Sequence, residues 1–132
     1  MNRAAFRIAC VAGATNASAV EKTVTFDFSG TGFTITNGGI SGGGQSVDIS
    51  SAAIQITATN GYVNTGSSRL HVYKSATLTI SSSGGNIKSI QLTSTGGTYG
   101  CDKLSTTSSG YTSTATSGTW EGDMGAITFS AS

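Results

Sequence analysis

The sequence predicts an all-β fold, an antiparallel β-sandwich or jelly roll of about ten short strands. Three observations carry this prediction. Ser, Thr and Gly make up 61 of the 132 residues and Pro is absent, which is unlike the Ala-, Leu-, Glu- and Lys-rich composition of helical bundles. Apolar residues alternate with polar ones at period two, the period of a β-strand. Turn residues recur about every 8 to 12 positions, as they do between sandwich strands.

The first predicted strand covers residues 5–12. Its two faces carry alternating residues: Phe6, Ile8 and Cys10 on one side, and Arg7, Ala9 and Val11 on the other. A cleaved secretion signal is the alternative for this segment, since Arg3 gives it a positive start. The charge of Arg7 interrupts the apolar stretch such a signal needs, so the strand is the preferred interpretation.

A small polar linker, residues 15–19, separates this strand from the sandwich body, residues 20–132, and the whole chain 1–132 is predicted to be one domain. The body repeats the alternating pattern up to its C-terminal end. The residues expected to be most buried are Phe26, Phe28, Ile54, Ile56, Leu78, Ile80, Ile90, Trp120 and Phe129. Thr residues occupy many of the intervening outward positions, where a β-branched side chain suits a half-solvated sheet face.

Composition also limits the partners. Only 10% of the residues are charged and the formal net charge is +1, so the chain lacks the clustered Lys and Arg that favour nucleic acid. No apolar run approaches the roughly 18 residues of a membrane span. We therefore expect no nucleic-acid partner and no membrane span.

Groups suited to catalysis are few. His71 is the single histidine, and the strand pattern places it on the face opposite Leu70 and Val72, as a surface residue. Gly39–Gly43 matches the nucleophile-elbow motif formally, but that motif needs a following helix. Glu121 and Asp123 flank a glycine in a predicted turn, where two carboxyls seldom face each other across a substrate. We expect no enzyme activity, no cofactor and no metal site.

The two cysteines, Cys10 and Cys101, leave two alternatives open. They form one disulfide that ties the N-terminal strand to a loop, or they are two buried thiols. Among the aromatic residues, Trp120 is expected to pack in the core. Tyr99 and Tyr111 flank a Ser- and Thr-rich loop, which makes them the candidates for contact with a ligand such as a glycan.

Four segments carry a resemblance to a known family: Ser68–Ile80, Gly85–Thr93, Gly118–Gly122 and Ala126–Ser130. Their order and spacing resemble a β-sandwich module that is frequent in surface and secreted proteins of Bacteroidetes. The resemblance spans about residues 20–132 and rests on structural motifs. It implies a non-catalytic module at the cell surface or outside the cell, and it supplies no catalytic residues.

The chain departs from that family at its C-terminal end. Such modules usually add one more strand after the segment that corresponds to Ala126–Ser130, whereas this sequence ends at Ser132. The N-terminal segment Arg7–Val11 has the pattern of the missing strand, as if it had moved to the other end. We therefore expect Phe6, Ile8 and Cys10 to point into a sandwich core, with residues 5–12 paired alongside the strand containing Ile127 or another edge of the same sheet. Three alternatives stay open: residues 5–12 complete their own sandwich, they complete a neighbouring copy by donor-strand exchange, or the chain is a fragment of a tandem array.

The predicted function is a non-catalytic structural or adhesive module of a bacterial surface or extracellular assembly. Its expected partner is a second copy of itself, in an oligomer or filament, or a larger surface assembly. A carbohydrate-binding module is the alternative of a different class. A phage virion surface protein is a further alternative, which would place the chain in a virion and account for a start at Met1 without a signal.

Overall fold

The structure is a computed structural model that describes residues 3–13, 22–26, 28, 34–36, 45–51, 54–64, 66 and 69–132. Over these ranges the chain forms twelve β-strands and one three-residue 3-10 turn, Cys101–Lys103. The all-β prediction is confirmed. No helix in the described ranges is long and apolar enough to cross a membrane.

The strands follow one another as β1 Arg3–Gly13, β2 Lys22–Phe26, β3 Thr34–Thr36, β4 Gln45–Ser51, β5 Ile54–Asn64, β6 Arg69–Tyr73, β7 Thr77–Ser82, β8 Asn86–Thr93, β9 Leu104–Thr106, β10 Tyr111–Ser113, β11 Ser117–Met124 and β12 Ala126–Ala131. Every pairing between them is antiparallel. We call the first sheet, β9-β12-β7-β5-β4-β3, sheet A, and the second, β10-β11-β8-β1-β2, sheet B. Strand β6 pairs with both β5 and β1 and so connects the two sheets.

One hydrophobic core lies between the sheets. It combines residues of sheet A, such as Ile56 and Phe129, with residues of sheet B, such as Ile90 and Leu92. Each of the nine residues expected to be most buried is at most 1% exposed: Phe26, Phe28, Ile54, Ile56, Leu78, Ile80, Ile90, Trp120 and Phe129. The core prediction is therefore confirmed, and the two sheets form a sandwich.

Trp120 is the largest of the fully buried side chains. It lies on β11 opposite Ile90 of β8, and its indole Nε1 donates a hydrogen bond to the Ser109 carbonyl at 3.1 Å. A Cβ at Gly122 would lie 2.5 Å from the indole ring, so the bare glycine lets the backbone pass beside it. The expectation that Trp120 belongs to the core is confirmed.

The sheet edges are short in the part of the chain that the structure describes. The edge strands β3, β9 and β10 have three residues each, and β2 has five. Short edges offer few unpaired backbone groups to another chain, which is a common protection against edge-to-edge association. In a chain with few charges, edge strands are expected either to be short and covered or to be used in pairing, and the described edge strands are short.

Candidate functional site

The N-terminal strand β1 is a strand of sheet B whose first residues pair with β6. It therefore reaches from one sheet to the other. Its first part, Arg3 to Phe6, pairs with β6 in register Arg3↔Tyr73 to Phe6↔Leu70. Its second part, from Arg7 onward, pairs with β8, and its other edge pairs with β2. Both edges of the second part are therefore hydrogen-bonded to strands of its own chain.

The register of β1 bears on the prediction that Phe6, Ile8 and Cys10 point into the core. The three are aligned with Leu70, Leu92 and Ile90 respectively, and all three partners are at most 1% exposed. Directly opposed residues of an antiparallel pair share a sheet face. The side chains of Phe6, Arg7, Ile8, Ala9, Cys10 and Val11 lie outside the described residues, so their orientation stays a prediction that the register favours.

One of the two predicted neighbours of the N-terminal strand, the strand containing Ile127, needs a correction, whereas pairing with another edge of the same sheet is found for part of β1. The strand containing Ile127, β12, pairs with β7 and β9, so β1 is not beside it. In the sheet that contains Ile127, β1 adds to the edge of β6 through Arg3 to Phe6 alone. The rest of its length belongs to sheet B. The family pattern could not predict this division, because it depends on where β1 changes its pairing partner from β6 to β8.

Tyr111, one of the two candidate ligand contacts, is used by the fold. Its hydroxyl donates a hydrogen bond to the Cys101 carbonyl at 2.8 Å. Its ring packs edge-on against Phe129, with centroids 5.0 Å apart. Burial raises the pKa of its hydroxyl to about 12. These contacts give Tyr111 a structural role that the loop composition did not indicate.

Tyr99, the other candidate, is 39% exposed. It closes a tight turn that begins at Gly96, whose carbonyl accepts from the Tyr99 amide at 3.2 Å. Gly96 and Gly97 have φ angles of 83° and 63°, values that glycine adopts without strain. The turn therefore holds one tyrosine at the surface, and the contact with a ligand stays a prediction for Tyr99.

Cys101 is a free, buried thiol. Burial raises its pKa, which keeps it protonated and unreactive at neutral pH. The side chain of Cys10 lies outside the described residues, although the backbone of β1 passes close to the turn Cys101–Lys103. Because Cys101 is a free thiol, the predicted Cys10–Cys101 disulfide is not formed in this structure, which favours the alternative of two thiols.

His71 is half-buried on the face of β6 opposite the buried Leu70 and Val72. Its ring stacks on Tyr62, with centroids 4.4 Å apart and planes 10° from parallel. Tyr62 in turn meets Tyr73 edge-on at 6.0 Å. The single histidine is therefore part of an aromatic cluster that packs two strands together. The expectation that it is a surface residue is wrong for its imidazole, whose two nitrogens are buried.

Of the two neighbouring carboxylates, Glu121 and Asp123, the second forms an ion pair. Asp123 Oδ2 lies 2.8 Å from Lys88 Nζ, and hydrogen bonds from Lys88 and Asn86 lower the pKa of that carboxyl. Within the described ranges, no group of three or more His, Cys, Asp or Glu residues comes together as a metal site.

The outer face of sheet A carries a regular set of hydroxyl groups that sequence reasoning noted only as a preference for Thr. Three neighbouring strands each contribute two residues: Thr57 and Thr59 on β5, Thr77 and Thr79 on β7, and Thr128 and Ser130 on β12. We call these six residues the hydroxyl grid. Register aligns Thr57, Thr79 and Thr128 in one row. In the second row Thr77 is aligned with Ser130, and its amide donates to Thr59 Oγ1 at 2.9 Å.

Functional inference for this chain rests on its own geometry. No protein family, curated protein or solved structure matches the chain. The resemblance to Bacteroidetes surface modules stays a prediction.

Proposed function

We propose that the chain is a non-catalytic structural or adhesive module of a bacterial surface or extracellular assembly, in which β1 joins copies by strand exchange. The supporting observation is the place of β1: a strand near one end of the sequence lies between β8 and β2 and also extends β6. A strand with two paired edges contributes many backbone hydrogen bonds. A neighbouring copy that supplied the same strand would recreate all of them.

The connection between β1 and β2 determines what would be exchanged. The two strands pair in register Ala12↔Lys22, so residues 13–21 close a hairpin. Nine residues reach at most about 30 Å when fully extended, which suffices to cross a small sandwich. Exchange therefore takes one of two forms: β1 leaves β2, or the hairpin β1–β2 moves as a unit. The short edge strands favour either form over simple edge pairing.

The non-catalytic part of the proposal rests on how the polar aromatic groups are used. The His71 ring stacks on Tyr62, and the Tyr111 hydroxyl donates to a backbone carbonyl. Both groups hold strands or loops together. A structural role for the whole module agrees with this use of the residues that otherwise carry chemistry.

Two experiments test the proposal: one follows the assembly of the full chain, and the other the rescue of a truncated chain. Light scattering of the full chain over a range of concentrations is expected to show dimers or larger assemblies, and electron microscopy is expected to show their form. A chain lacking residues 1–14 is expected to aggregate, and a peptide of residues 4–15 is expected to restore its solubility. The matched control is the same peptide with Ile8→Asp, which keeps the backbone but places a charge opposite the buried Leu92.

Two results would overturn strand exchange. One is a full chain that stays monomeric at every concentration. The other is a truncated chain that stays folded and monomeric without the peptide. A control peptide that rescues as well as the native one would contradict the proposed register of Ile8.

Carbohydrate binding is the second candidate function, supported by the exposed Tyr99 on its glycine turn. An aromatic ring at the surface can stack on the apolar face of a sugar. A glycan array with the full chain and a Tyr99→Ala variant tests it, with Tyr111→Phe as the control, since the half-buried Tyr111 ring packs against Phe129. Binding lost in the first variant and kept in the second would favour this function. A virion surface protein is a variant of the structural proposal, and its test is detection of the chain in purified phage particles.

A further inference from the structure

The pairing of Arg3–Phe6 with Leu70–Tyr73 joins β1 to β6, and we call it the β1–β6 joint. The joint contains His71, the single histidine of the chain. His71 is aligned with Ala5 of β1 on one side and with Tyr62 of β5 on the other. A change in the charge of His71 therefore acts directly where β1 extends β6.

The imidazole of His71 is enclosed by the fold. Both ring nitrogens, Nδ1 and Nε2, are buried. The ring stacks on Tyr62, with centroids 4.4 Å apart and planes 10° from parallel. The other titratable side chains of this cluster are the phenols of Tyr62 and Tyr73, and both residues are buried. A proton taken up by His71 would place a positive charge where water has little access, which costs free energy unless an opposite charge lies beside it.

The charged residues of the three strands at the joint are all arginines. Strands β1, β5 and β6 contain no Asp or Glu, and their charged residues are Arg3, Arg7 and Arg69. Arg69 lies two positions before His71, on the same face of β6. Arg3 occupies the β1 position that is aligned with Tyr73. Because nearby positive charges disfavour a further one, the composition of these strands also opposes the protonated form of His71.

Strand β4, which pairs with another part of β5, contains one acidic residue. This residue, Asp48, is aligned with Thr57, and its carboxylate accepts a hydrogen bond from Gln55. Thr57 is five positions from Tyr62 along β5, about 16 Å for an extended strand. Register therefore places the β4 carboxylate at a distance from the imidazole of His71.

We propose that His71 makes the β1–β6 joint sensitive to pH, so that acidification loosens the segment Arg3–Phe6 and favours exchange of β1 between copies. The second half of this statement rests on the proposed function, because it assigns a control to the same strand. An imidazole in water takes up a proton at about pH 6.5, whereas the closed joint opposes that proton. Below about pH 6.5 the open joint therefore binds more protons than the closed one, and the stability of the pairing falls as the pH falls.

The rest of β1 is expected to keep its pairing when the joint loosens. From Arg7 onward β1 pairs with β8 and β2, and neither of these strands contains a His, Asp or Glu. A freed edge of β6 offers unpaired backbone groups, to which the β1 of a neighbouring copy can add as a strand. The incoming strand can then displace the remainder of the resident β1, because it makes the same pairings in the same order.

The first test uses NMR on the full native chain. The imidazole of His71 is expected to titrate with a midpoint below about pH 6.5. Amide protection in the segment Arg3–Phe6, corrected for intrinsic exchange, is expected to fall by up to about tenfold between about pH 7.5 and pH 5.5, the limit that one proton sets over this range. Protection of Ile127 and Phe129 on β12, which pairs with β7, is expected to stay constant.

Two variants remove the titrating group. His71→Phe keeps a flat ring on Tyr62 but takes up no proton, and His71→Gln is a second neutral side chain. Both are expected to show the same protection of Arg3–Phe6 at the two pH values. The matched control is Asp123→Asn, which removes an acidic group near β8 that pairs with Lys88 and is expected to keep the pH response. Circular dichroism establishes that the variants are folded.

A second readout follows exchange itself. Isotope-labelled and unlabelled native chains are mixed, and mass spectrometry of the intact assemblies is expected to show faster mixing at the acidic pH, with no such change for His71→Phe. A His71 midpoint at or above about pH 6.5 would show that Tyr62 or another group stabilises the imidazolium, and would overturn the pH control. A pH response that persists in both neutral variants would overturn it as well. A native chain that is monomeric yet loses protection of Arg3–Phe6 in acid would overturn strand exchange and leave the proton-sensitive joint standing.

Discussion

The inner and outer faces of the strands β5, β7 and β12 differ in burial and in residue type. On β5, β7 and β12, Ile56, Leu78 and Phe129 point inward and are at most 1% exposed. The residues between them form the hydroxyl grid. Alternation along each strand thus separates two environments: one face is buried in the core, and the other carries hydroxyl side chains that are exposed or half-buried. A substitution on the outer face is therefore expected to change the unfolding free energy much less than a substitution on the inner face.

The largest effect is expected on the inner side of sheet B. Trp120→Ala removes a side chain that is 1% exposed and its hydrogen bond to the Ser109 carbonyl. Loss of a buried aromatic ring costs about 3 to 5 kcal/mol of unfolding free energy. Urea denaturation followed by circular dichroism measures it. An equally stable variant that loses affinity for a glycan would show that Trp120 belongs to a binding site and not to the core.

A smaller loss of unfolding free energy is expected at Tyr111, which contacts both the core residue Phe129 and the backbone of Cys101. Tyr111→Phe keeps the ring against Phe129 but removes the hydrogen bond to the Cys101 carbonyl. Leaving a buried carbonyl without its donor costs about 1 to 3 kcal/mol. Because Tyr111 is half-buried, we expect the lower end of this range, measured by the same urea titration. A stability equal to that of the native chain would place the hydroxyl in contact with water instead.

The same tyrosine makes a prediction about alkaline pH. Burial raises the pKa of Tyr111 to about 12 in the folded chain, above the value of about 10 for an unfolded tyrosine. The unfolded chain therefore loses its proton first, and the stability that Tyr111 contributes falls as pH rises from 10 toward 12. Melting temperatures measured over that window should fall more steeply for the native chain than for Tyr111→Phe. Equal slopes would contradict the assignment.

At acidic pH the expected change in stability is smaller still. Lys88 and Asn86 lower the pKa of the exposed Asp123 carboxyl, so the ion pair is present above the ordinary pKa of an aspartate and is lost as pH falls through the lowered value. Exposed pairs of this kind add little to stability, so the direct readout is the carboxyl itself. Its NMR titration should have a midpoint below the ordinary value for an aspartate, and Lys88→Ala should raise that midpoint. An unchanged midpoint would show that the pair does not form in solution.

How much the sequence alone predicts also differs between the two faces. Period-two alternation and turn residues predict which residues point inward, and the nine predicted core residues are buried. The grid depends in addition on register, because Thr79 and Thr128 are 49 positions apart in the chain and lie 2.9 Å from each other through their hydroxyls. Tyr111 shows the same limit: its hydrogen-bond partner is a backbone carbonyl ten residues away, and loop composition carries no signal for such a contact.

The smallest expected effect on stability is that of Thr128→Ala, and its neighbour Phe129 makes it informative. The two residues are consecutive on β12, one exposed in the grid and one fully buried. Phe129→Ala should cost about 3 to 5 kcal/mol, whereas an exposed substitution such as Thr128→Ala should change the unfolding free energy by about 0.5 kcal/mol or less. That small change includes the loss of one hydroxyl contact, the one with Thr79, which solvent replaces. Urea titrations of both variants measure the contrast. A cost for Thr128→Ala close to that of Phe129→Ala would mean that the outer face contributes to stability as much as the core does, and the division of the strands into a stabilising inner face and a solvent-facing outer face would fail.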